Sequence, residues 1–182
     1  VGIALPARFN YDAGELQFNV TEPWIDVIHS RYHIAIDGIS LPLLVLSMFI
    51  TVLCVIYSWN HFPEPHNPKA FLALVLLLEV GMNGTFVAED LILFFIFFEI
   101  GLVPMYFLIS GWGYDLRKYA ATKFFLYTMF GSAFMLVGVI ATAYLHAKGG
   151  PVTFDLQTLA EGQGVIAKTT GRWLFLSFAV AF

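Results

Sequence analysis

Two carboxylates occur in stretches of sequence that are otherwise apolar. Glu79 lies in LVLLLEVGMNG and Glu99 in LFFIFFEIGLVPMYFLI, each ten residues from Glu89. With a helical rise of about 1.5 Å per residue, both acids are expected about 15 Å deep on neighbouring helices, near the midplane of a bilayer. A charged side chain there costs about 2.5–3.5 kcal/mol on insertion scales, and such acids are usually functional. The pattern predicts a proton site at Glu99, with Glu79 as a secondary candidate; a neutral, hydrogen-bonded structural acid is the alternative.

A proton site of this kind needs a cation, because burial favours the neutral carboxylic acid whereas a nearby positive charge favours the carboxylate. Lys123, in AATKFFLYT, is the one lysine inside an apolar stretch. Counting residues from the helix ends places it about 13 Å from Glu99 in depth, so a direct pair would need a chain of water molecules. Lys123 is therefore either a relay or a residue that extends its ammonium group to the membrane interface. We expect the direct partner of Glu99 to lie outside this sequence.

Other residues in the apolar stretches have simpler interpretations. Pro104, five residues after Glu99, frees a backbone carbonyl, which is compatible with a hydrated path or with a plain kink. The phenylalanine-rich stretch 94–98 is interpreted as packing and lipid-facing surface rather than as a quinone site. Small residues on a later stretch predict close helix packing. These are Gly131, Ser132 and Gly138.

The composition identifies the class of protein. Of 182 residues, 59% are hydrophobic and 12% charged, with a mean hydropathy of +0.77 and a net charge of −4. Soluble domains carry about 25% charged residues, so the balance excludes a soluble globular protein, a disordered tail and a nucleic-acid-binding protein. A single cysteine, Cys54, excludes an intrachain disulfide, a cysteine-based zinc site and an iron–sulfur cluster. A membrane protein remains.

The order of apolar and polar stretches predicts an all-α, polytopic transmembrane helix bundle. Residues 1–37 are expected to form an extramembrane segment of loops or short strands, and residues 38–182 the bundle. A Gly-rich loop with one or two helical turns is expected over 147–170. Spans are expected at about 38–59, 69–88, 91–111, 120–146 and, in part, 171–182. The last twelve residues rise only about 18 Å as a helix, and there is no leader sequence, so we expect an internal piece of a longer protein.

Weaker motifs are set aside. The pattern GQGVIA at 162–167 resembles a dinucleotide-binding turn but lacks a βαβ unit around it. His29 and His33 have helical i, i+4 spacing without the acid of a zinc protease. No arrangement of serine, cysteine and histidine suggests nucleophilic catalysis. Two short connectors follow the first and third predicted spans, and they contain Lys69, Arg117 and Lys118. Because short loops rich in lysine and arginine usually lie on the cytoplasmic side, these connectors are predicted to face the cytoplasm.

Three segments carry a resemblance to a known family. They are AIDGISLPL at 35–43, AEDLILFFIFFEIGLVPMYFLISGWG at 88–113 and KYAATKFFLYTMFGS at 118–132. Together they closely resemble the chain M type of antiporter-like membrane subunit of respiratory complex I, the proton-pumping NADH:quinone oxidoreductase. The resemblance implies a fold of fourteen transmembrane helices built from two inverted repeats, of which this chain covers helices three to seven.

The same resemblance implies roles for individual residues. Glu99 matches the family's essential glutamate on helix five, and Glu79 matches a glutamate of bacterial members. The lysine that pairs with the helix-five glutamate lies in an F-A-x-K-x-P motif, and this sequence stops at SFAVAF, just before it. No cofactor is expected in this chain; NADH, FMN, iron–sulfur clusters and quinone are expected in partner subunits.

The predicted function is that of a proton-translocating subunit of complex I, and hence of an enzyme complex whose redox chemistry occurs in other chains. Its partners are then the other membrane subunits, including neighbouring antiporter-like subunits, and the lipid bilayer, with no nucleic acid. The location expected is an energy-transducing membrane, the bacterial cytoplasmic membrane. Two alternatives stay open: an antiporter-like subunit of a cation/proton antiporter or membrane-bound hydrogenase, and a passive membrane scaffold.

Overall fold

The computed structural model describes residues 4–13, 15–60, 67–162 and 166–181 as a bundle of helices with a β-hairpin at one end. A short 3-10 turn, Asp26–Ile28, lies between the two strands. The elements in chain order are α1 (Ala4–Arg8), β1 (Gln17–Ile25), β2 (Ser30–Ile36), α2 (Ser40–Asn60), α3 (Pro68–Val87), α4 (Leu91–Trp112), α5 (Arg117–Ala147), α6 (Leu156–Glu161) and α7 (Lys168–Ala181).

Four of the described helices are long and apolar enough to cross a membrane. They are α2, α3, α4 and α5, so the predicted class of helical membrane bundle is confirmed. The helices that correspond to the fourth and fifth predicted spans are α5 and α7, and both begin earlier than predicted. The first residue of α5 is Arg117 rather than 120, and that of α7 is Lys168 rather than 171. At α5 the reason is a polar first turn, in which Arg117 donates to the carbonyl of Gly111 at 2.9 Å and so ties α5 to the end of α4.

Local capping explains where the central helices begin. The side chain of Asn67 accepts a hydrogen bond from the backbone N–H of Ala70, and Pro68 occupies the first helical position, where its missing N–H is not needed. The Asp90 carboxylate accepts from the N–H groups of Ile92 and Leu93 at the start of α4. Only residues 88–90 separate α3 from α4, so the two helices must run antiparallel side by side.

The helices pack in chain order, α2 on α3, α3 on α4, α4 on α5, and α5 on α7. Small residues bring the backbones together, as is usual in membranes. A Cβ atom at Gly131 would lie 2.9 Å from the carbonyl oxygen of Ala181, and one at Gly138 would lie 2.7 Å from Oγ of Ser177. Ser132 is 3% exposed. The prediction that these residues of α5 serve close packing is confirmed.

The hairpin lies where the sequence predicted loops or short strands. Its strands are antiparallel, with Thr21 opposite His33, and the turn residue His29 has a left-handed φ of 56°. His29 is thus in a turn and His33 in a strand, so the i, i+4 spacing of the two histidines does not correspond to one helical face.

Three backbone hydrogen bonds join the extramembrane segments to the bundle. Glu89 donates its N–H to the carbonyl of His33 at 2.9 Å, Leu91 donates to Phe154 at 2.9 Å, and Leu156 donates to the carbonyl of Glu89 at 2.8 Å. The hairpin and residues 154–156 therefore meet at the α3–α4 connection, on one end of the bundle. The dinucleotide-like pattern at 162–167 lies partly outside the described residues.

Candidate functional site

The contact between α3 and α4 sets the depth of the two intramembrane carboxylates. Gly81 faces Gly101, and Gly84 faces the ring of Phe97. Because the helices are antiparallel, these contacts place Glu99 level with Asn83. Glu79 then lies about four residues, or roughly 6 Å, further from the α3–α4 connection. The equal depth predicted by counting from Glu89 is therefore wrong, since the two helices are offset along their axes.

The two carboxylates also point away from each other. Gly81 marks the side of α3 that meets α4, and at about 100° per residue Glu79 lies roughly 160° around the helix from it. Glu79 instead shares a helical stripe with Asn83 and Val87, and Val87 packs against a cluster formed by Leu41 and Leu44 of α2 with Phe9 and Ile36. The body of α3 thus separates Glu79, on the α2 side, from α4 and Glu99.

Glu99 lies on the side of α4 that meets α5. It falls on one face with Phe95 and Tyr106, at helical spacing. Phe95 packs against the buried cluster of α5, and the ring of Tyr106 lies 5.6 Å from that of Phe125 on α5, measured between centroids. Glu99 lies between Phe95 and Tyr106 along α4. It is therefore at the same height in the bundle as Ser132, a buried residue of α5.

One oxygen of the Glu99 carboxyl group, Oε1, is buried and has no hydrogen-bond partner within the part of the chain that the structure describes. The last turn of α7 reaches the same level, because Ala181 contacts Gly131 beside Ser132. Burying a polar group without a partner is unfavourable. Among the described residues, the Glu99 carboxyl group therefore presents an unpaired oxygen at the place where α4, α5 and the end of α7 meet.

The structure does not bring Lys123 to this site. Lys123 is exposed, and its Nζ lies 5.9 Å from the centre of the Tyr119 ring, one turn earlier on α5. It precedes Ser132 by nine residues, which corresponds to about 13 Å along the helix. This geometry favours an interface position for Lys123 over direct contact with Glu99.

Pro104 is buried in the middle of α4. Having no N–H, it leaves the carbonyl of Ile100 without its usual helical donor. Ile100 follows Glu99 directly, so a backbone acceptor is freed close to the carboxylate. This is compatible with either interpretation of Pro104 given by the sequence.

A second polar cluster, which the sequence did not reveal, lies at the hairpin end. Nδ1 of His33 is 2.7 Å from Oδ2 of Asp155, and this partly buried contact joins β2 to the start of α6. Asp90 accepts from the Ser30 hydroxyl at 3.0 Å and from the N–H of Arg31 at 3.1 Å, in addition to capping α4. The aspartates follow the sequence pattern of helix caps, but their partners are 60 and 122 residues away. Local sequence carries no signal for such pairs.

Two carboxylates at this end of the bundle, those of Glu89 and Asp155, have pKa shifts of opposite direction. Burial raises the pKa of Glu89 above its ordinary value, although the neighbouring His33 opposes the shift. Burial would also raise the pKa of Asp155, but hydrogen bonds from the N–H and hydroxyl of Thr158 and from His33 hold it below the ordinary value. Relative to the unfolded chain, folding therefore shifts the equilibrium of Glu89 toward its protonated form and that of Asp155 toward its ionised form.

The cluster borders an open cavity of about 900 Å³. His33 and His146 both line it, and each has a buried Nε2 without a hydrogen-bond partner among the described residues. Within the same residues, no three His, Cys, Asp or Glu side chains are placed to hold one metal ion. The cavity is therefore a polar pocket at the membrane end rather than a metal centre of that kind.

Comparison with protein families accounts for most of the chain. Residues 88–182, more than half of it, match the family described as NADH:quinone oxidoreductase/Mrp antiporter, transmembrane. Residues 16–83 match the amino terminus of NADH-ubiquinone oxidoreductase chain 4.

Individual relatives agree with this. The chain is 44% identical over 152 residues to NAD(P)H-quinone oxidoreductase chain 4 1 of Picosynechococcus sp., covering 82% of this chain and 27% of the relative. It is 37% identical over 175 residues to the chloroplastic NAD(P)H-quinone oxidoreductase chain 4 of Cryptomeria japonica, covering 96% of this chain and 34% of the relative. The chain thus spans about a third of the length of these curated relatives.

Solved structures show the same fold. A chain of the respiratory complex I from Thermus thermophilus with bound NADH superposes with a TM-score of 0.80 at 28% identity, over 99% of this chain and 36% of that one. A chain of the archaeal membrane-bound sulfane sulfur reductase superposes with a TM-score of 0.66 at 24% identity, over 82% and 29%. The second likeness concerns the fold alone.

Proposed function

The chain belongs to the NADH:quinone oxidoreductase/Mrp antiporter transmembrane family, and on that premise we propose that it is part of a proton-translocating membrane subunit of complex I. The enzyme would be a translocase that couples NADH oxidation by quinone to proton movement. The redox steps take place in partner subunits, which hold NADH, FMN, iron–sulfur clusters and quinone, and no cofactor is assigned to this chain. Its partners are the other membrane subunits, among them antiporter-like neighbours, in an energy-transducing membrane.

The observation that carries this proposal is the buried Oε1 of Glu99 between α4 and α5, which has no hydrogen-bond partner among the described residues. A carboxyl group in apolar surroundings binds a proton readily, and it releases that proton when a cation approaches. The end of α7 reaches the level of Glu99, and the resemblance to the family implies a lysine as the partner of the glutamate at this position. We assign that lysine as the partner of Glu99.

The proposed cycle uses these groups in turn. With the lysine withdrawn, Glu99 takes up a proton and is neutral; when the lysine approaches, Glu99 releases the proton and the two groups form an ion pair. Redox events in partner subunits would move the lysine between these positions. In this scheme Glu99 binds and releases the proton, Lys123 lies near the membrane interface with no direct part in the pair, and Glu79 is a secondary site.

A second candidate is an antiporter-like subunit that exchanges a cation for protons, because the matched family also includes the Mrp antiporters. Transport that required sodium and continued without NADH oxidation would favour it. A passive scaffold, the third possibility, predicts that Glu99 has no effect on transport.

The test is Glu99→Gln in the complete complex, in its native membrane. We expect normal assembly, with NADH-driven proton pumping reduced at least about tenfold, because Gln cannot bind and release a proton. Glu99→Asp, which keeps the acid, is the matched variant and is expected to retain more pumping than Gln. Unchanged pumping in assembled Glu99→Gln complexes would exclude the proposed role of Glu99.

A further inference from the structure

The buried face of α2 is unusually polar. Along this helix, the large apolar side chains such as Leu46, Phe49 and Leu53 are exposed to the outside of the bundle. The side of α2 that packs on α3 instead carries hydroxyl groups from its third turn onward. Its buried polar residues are Ser47, Thr51 and Ser58, which are 8%, 6% and 9% exposed.

The face of α3 that meets these hydroxyls carries Glu79 and Asn83. Val87, on the same stripe, packs against the cluster that contains Leu41 and Leu44 of α2. Since the helices are antiparallel, the next turn from that cluster brings Asn83 to the level of Ser47. One further turn brings Glu79 to the level of Thr51. We call these four residues the α2–α3 polar seam.

Two atoms of the seam lack partners. Oγ of Ser47 and Oδ1 of Asn83 are both buried, and neither has a hydrogen-bond partner in the described parts of the chain. By contrast, Thr51 donates to the carbonyl of Ser47 at 3.1 Å, and Ser58 donates to that of Cys54 at 2.7 Å. Buried polar atoms in proteins are nearly always bonded to protein or to ordered water. The two unpaired atoms belong to residues at the same height along α2 and α3, so a single bound water molecule at that height could bond to both.

We propose that Ser47 and Asn83 hold ordered water between α2 and α3, and that this water exchanges a proton with Glu79, one turn away, as a second proton-exchange site. Glu79 lies four residues, or about 6 Å along α3, from Asn83, whereas the apolar cluster of Leu41, Leu44 and Val87 lies beyond Asn83 toward the hairpin. The protonated Glu79 gives its proton to the bound water, and the resulting hydronium ion releases a proton to a neighbouring water molecule, so the bound water is regenerated. Glu79 is left as a carboxylate until a proton returns.

This site is distinct from the one at Glu99. Gly81 and Gly84 occupy the opposite side of α3 and bring its backbone against α4, so the body of α3 lies between the two carboxylates. The water site rests on burial and unpaired atoms alone. Only the role of Glu79 in proton exchange rests on the proposed function.

The first experiment is an electron cryo-microscopy map of the complete complex at a resolution that shows ordered water. We expect density within hydrogen-bond distance of Ser47 Oγ and Asn83 Oδ1, lost in Ser47→Ala/Asn83→Leu and retained in Ser58→Ala. A dry seam in the wild type, with water visible elsewhere in the membrane part, would overturn the inference. If the double variant does not assemble, the wild-type map and Ser47→Ala decide it.

The second experiment measures NADH-driven proton pumping. We expect Glu79→Gln and Ser47→Ala/Asn83→Leu to lower the rate several-fold and to a similar extent, with no further loss when they are combined, while Ser58→Ala leaves it unchanged. Independent, multiplying losses would show that the water does not serve Glu79. If ordered water is seen and Glu99→Gln pumps normally, the proposed function is refuted and the water site stands. If no water is seen between α2 and α3 and Glu99→Gln has lost pumping, the water site is refuted and the proposed function stands.

Discussion

Gly81 of α3 lies directly against Gly101 of α4: a Cβ atom at Gly81 would be 2.8 Å from the backbone nitrogen of Gly101. This contact directs one side of α3 to α4 and the opposite side, with Glu79, to α2. Two acids that are ten residues on either side of Glu89 thus belong to different helix interfaces. Their substitution is expected to affect different steps.

The contact is also asymmetric, which gives a stability prediction. A methyl group at Gly81 must displace backbone, whereas a Cβ at Gly101 meets only a side-chain carbon of Leu78 at 3.8 Å. We expect Gly81→Ala to destabilise the bundle by about 1–3 kcal/mol, as overpacking does. Gly101→Ala and Gly111→Ala are the controls, and both should be close to neutral. The thermal unfolding midpoint of the purified complex measures this, and equal midpoints for Gly81→Ala and Gly101→Ala would contradict the packing described.

The α5–α7 contact positions the end of α7 near Glu99. A Cβ at Gly131 would lie 2.9 Å from the carbonyl oxygen of Ala181, whereas nothing lies within 4 Å of one at Gly171. We expect Gly131→Ala to move α7 away from α5 and to lower NADH-driven pumping in assembled complexes, with Gly171→Ala as the unaffected control. Since catalytic geometry is sensitive to shifts of about 1 Å, the loss should reach about tenfold or more. Normal pumping in Gly131→Ala would show that proton transfer at Glu99 does not depend on the position of α7.

Lys123 offers a test of the distance argument. Its Nζ lies over the ring of Tyr119, about 13 Å from the level of Glu99. We therefore expect Lys123→Met to reduce proton pumping by no more than about twofold, the effect of a lost interface charge. Lys123→Arg, which retains that charge, should pump normally. A loss as large as that of Glu99→Gln would instead make Lys123 an obligatory relay.

The hairpin end should loosen in acid. The pKa of Asp155 is held below its ordinary value in the folded protein, so its carboxylate stabilises the fold above the unfolded pKa of about 3.9, and that stabilisation is lost as the pH falls through the folded pKa. We expect the backbone amides of α6 to exchange hydrogen faster as the pH is lowered through this range, once the intrinsic pH dependence of exchange is subtracted. In Asp155→Asn this extra acid dependence should be absent.

The pKa of Glu89, in the same region, is shifted in the opposite direction, so its effect on stability has the opposite pH dependence. Burial raises its pKa, so the stability associated with its protonated form is complete below the ordinary glutamate value and decreases as the pH rises through the folded pKa. Glu89→Gln should accordingly slow amide exchange at the α3–α4 connection at neutral pH. Faster exchange in that variant would show that the Glu89 carboxylate stabilises the connection.

The sequence by itself determined the class of the protein and its main helices, and it predicted Glu99 as the candidate proton site. Runs of about twenty apolar residues must form helices in a bilayer, because the backbone of a spanning segment has to satisfy its own hydrogen bonds. The charge at Glu99 was identifiable because an acid within such a run has no local explanation. These properties depend on neighbours in the chain, so they can be derived without a fold.

The tertiary structure decided which side chains share an interface. The offset between α3 and α4, the separation of Glu79 from Glu99, the level shared by Ser47 and Asn83, and the pairing of His33 with Asp155 each depend on how two elements pack. Composition and periodicity define which face of a helix is apolar, but an almost uniformly apolar membrane helix presents no single buried face. Its rotation and offset are fixed by the contacts of small residues such as Gly81 and Gly131, and these contacts exist only once the helices are assembled.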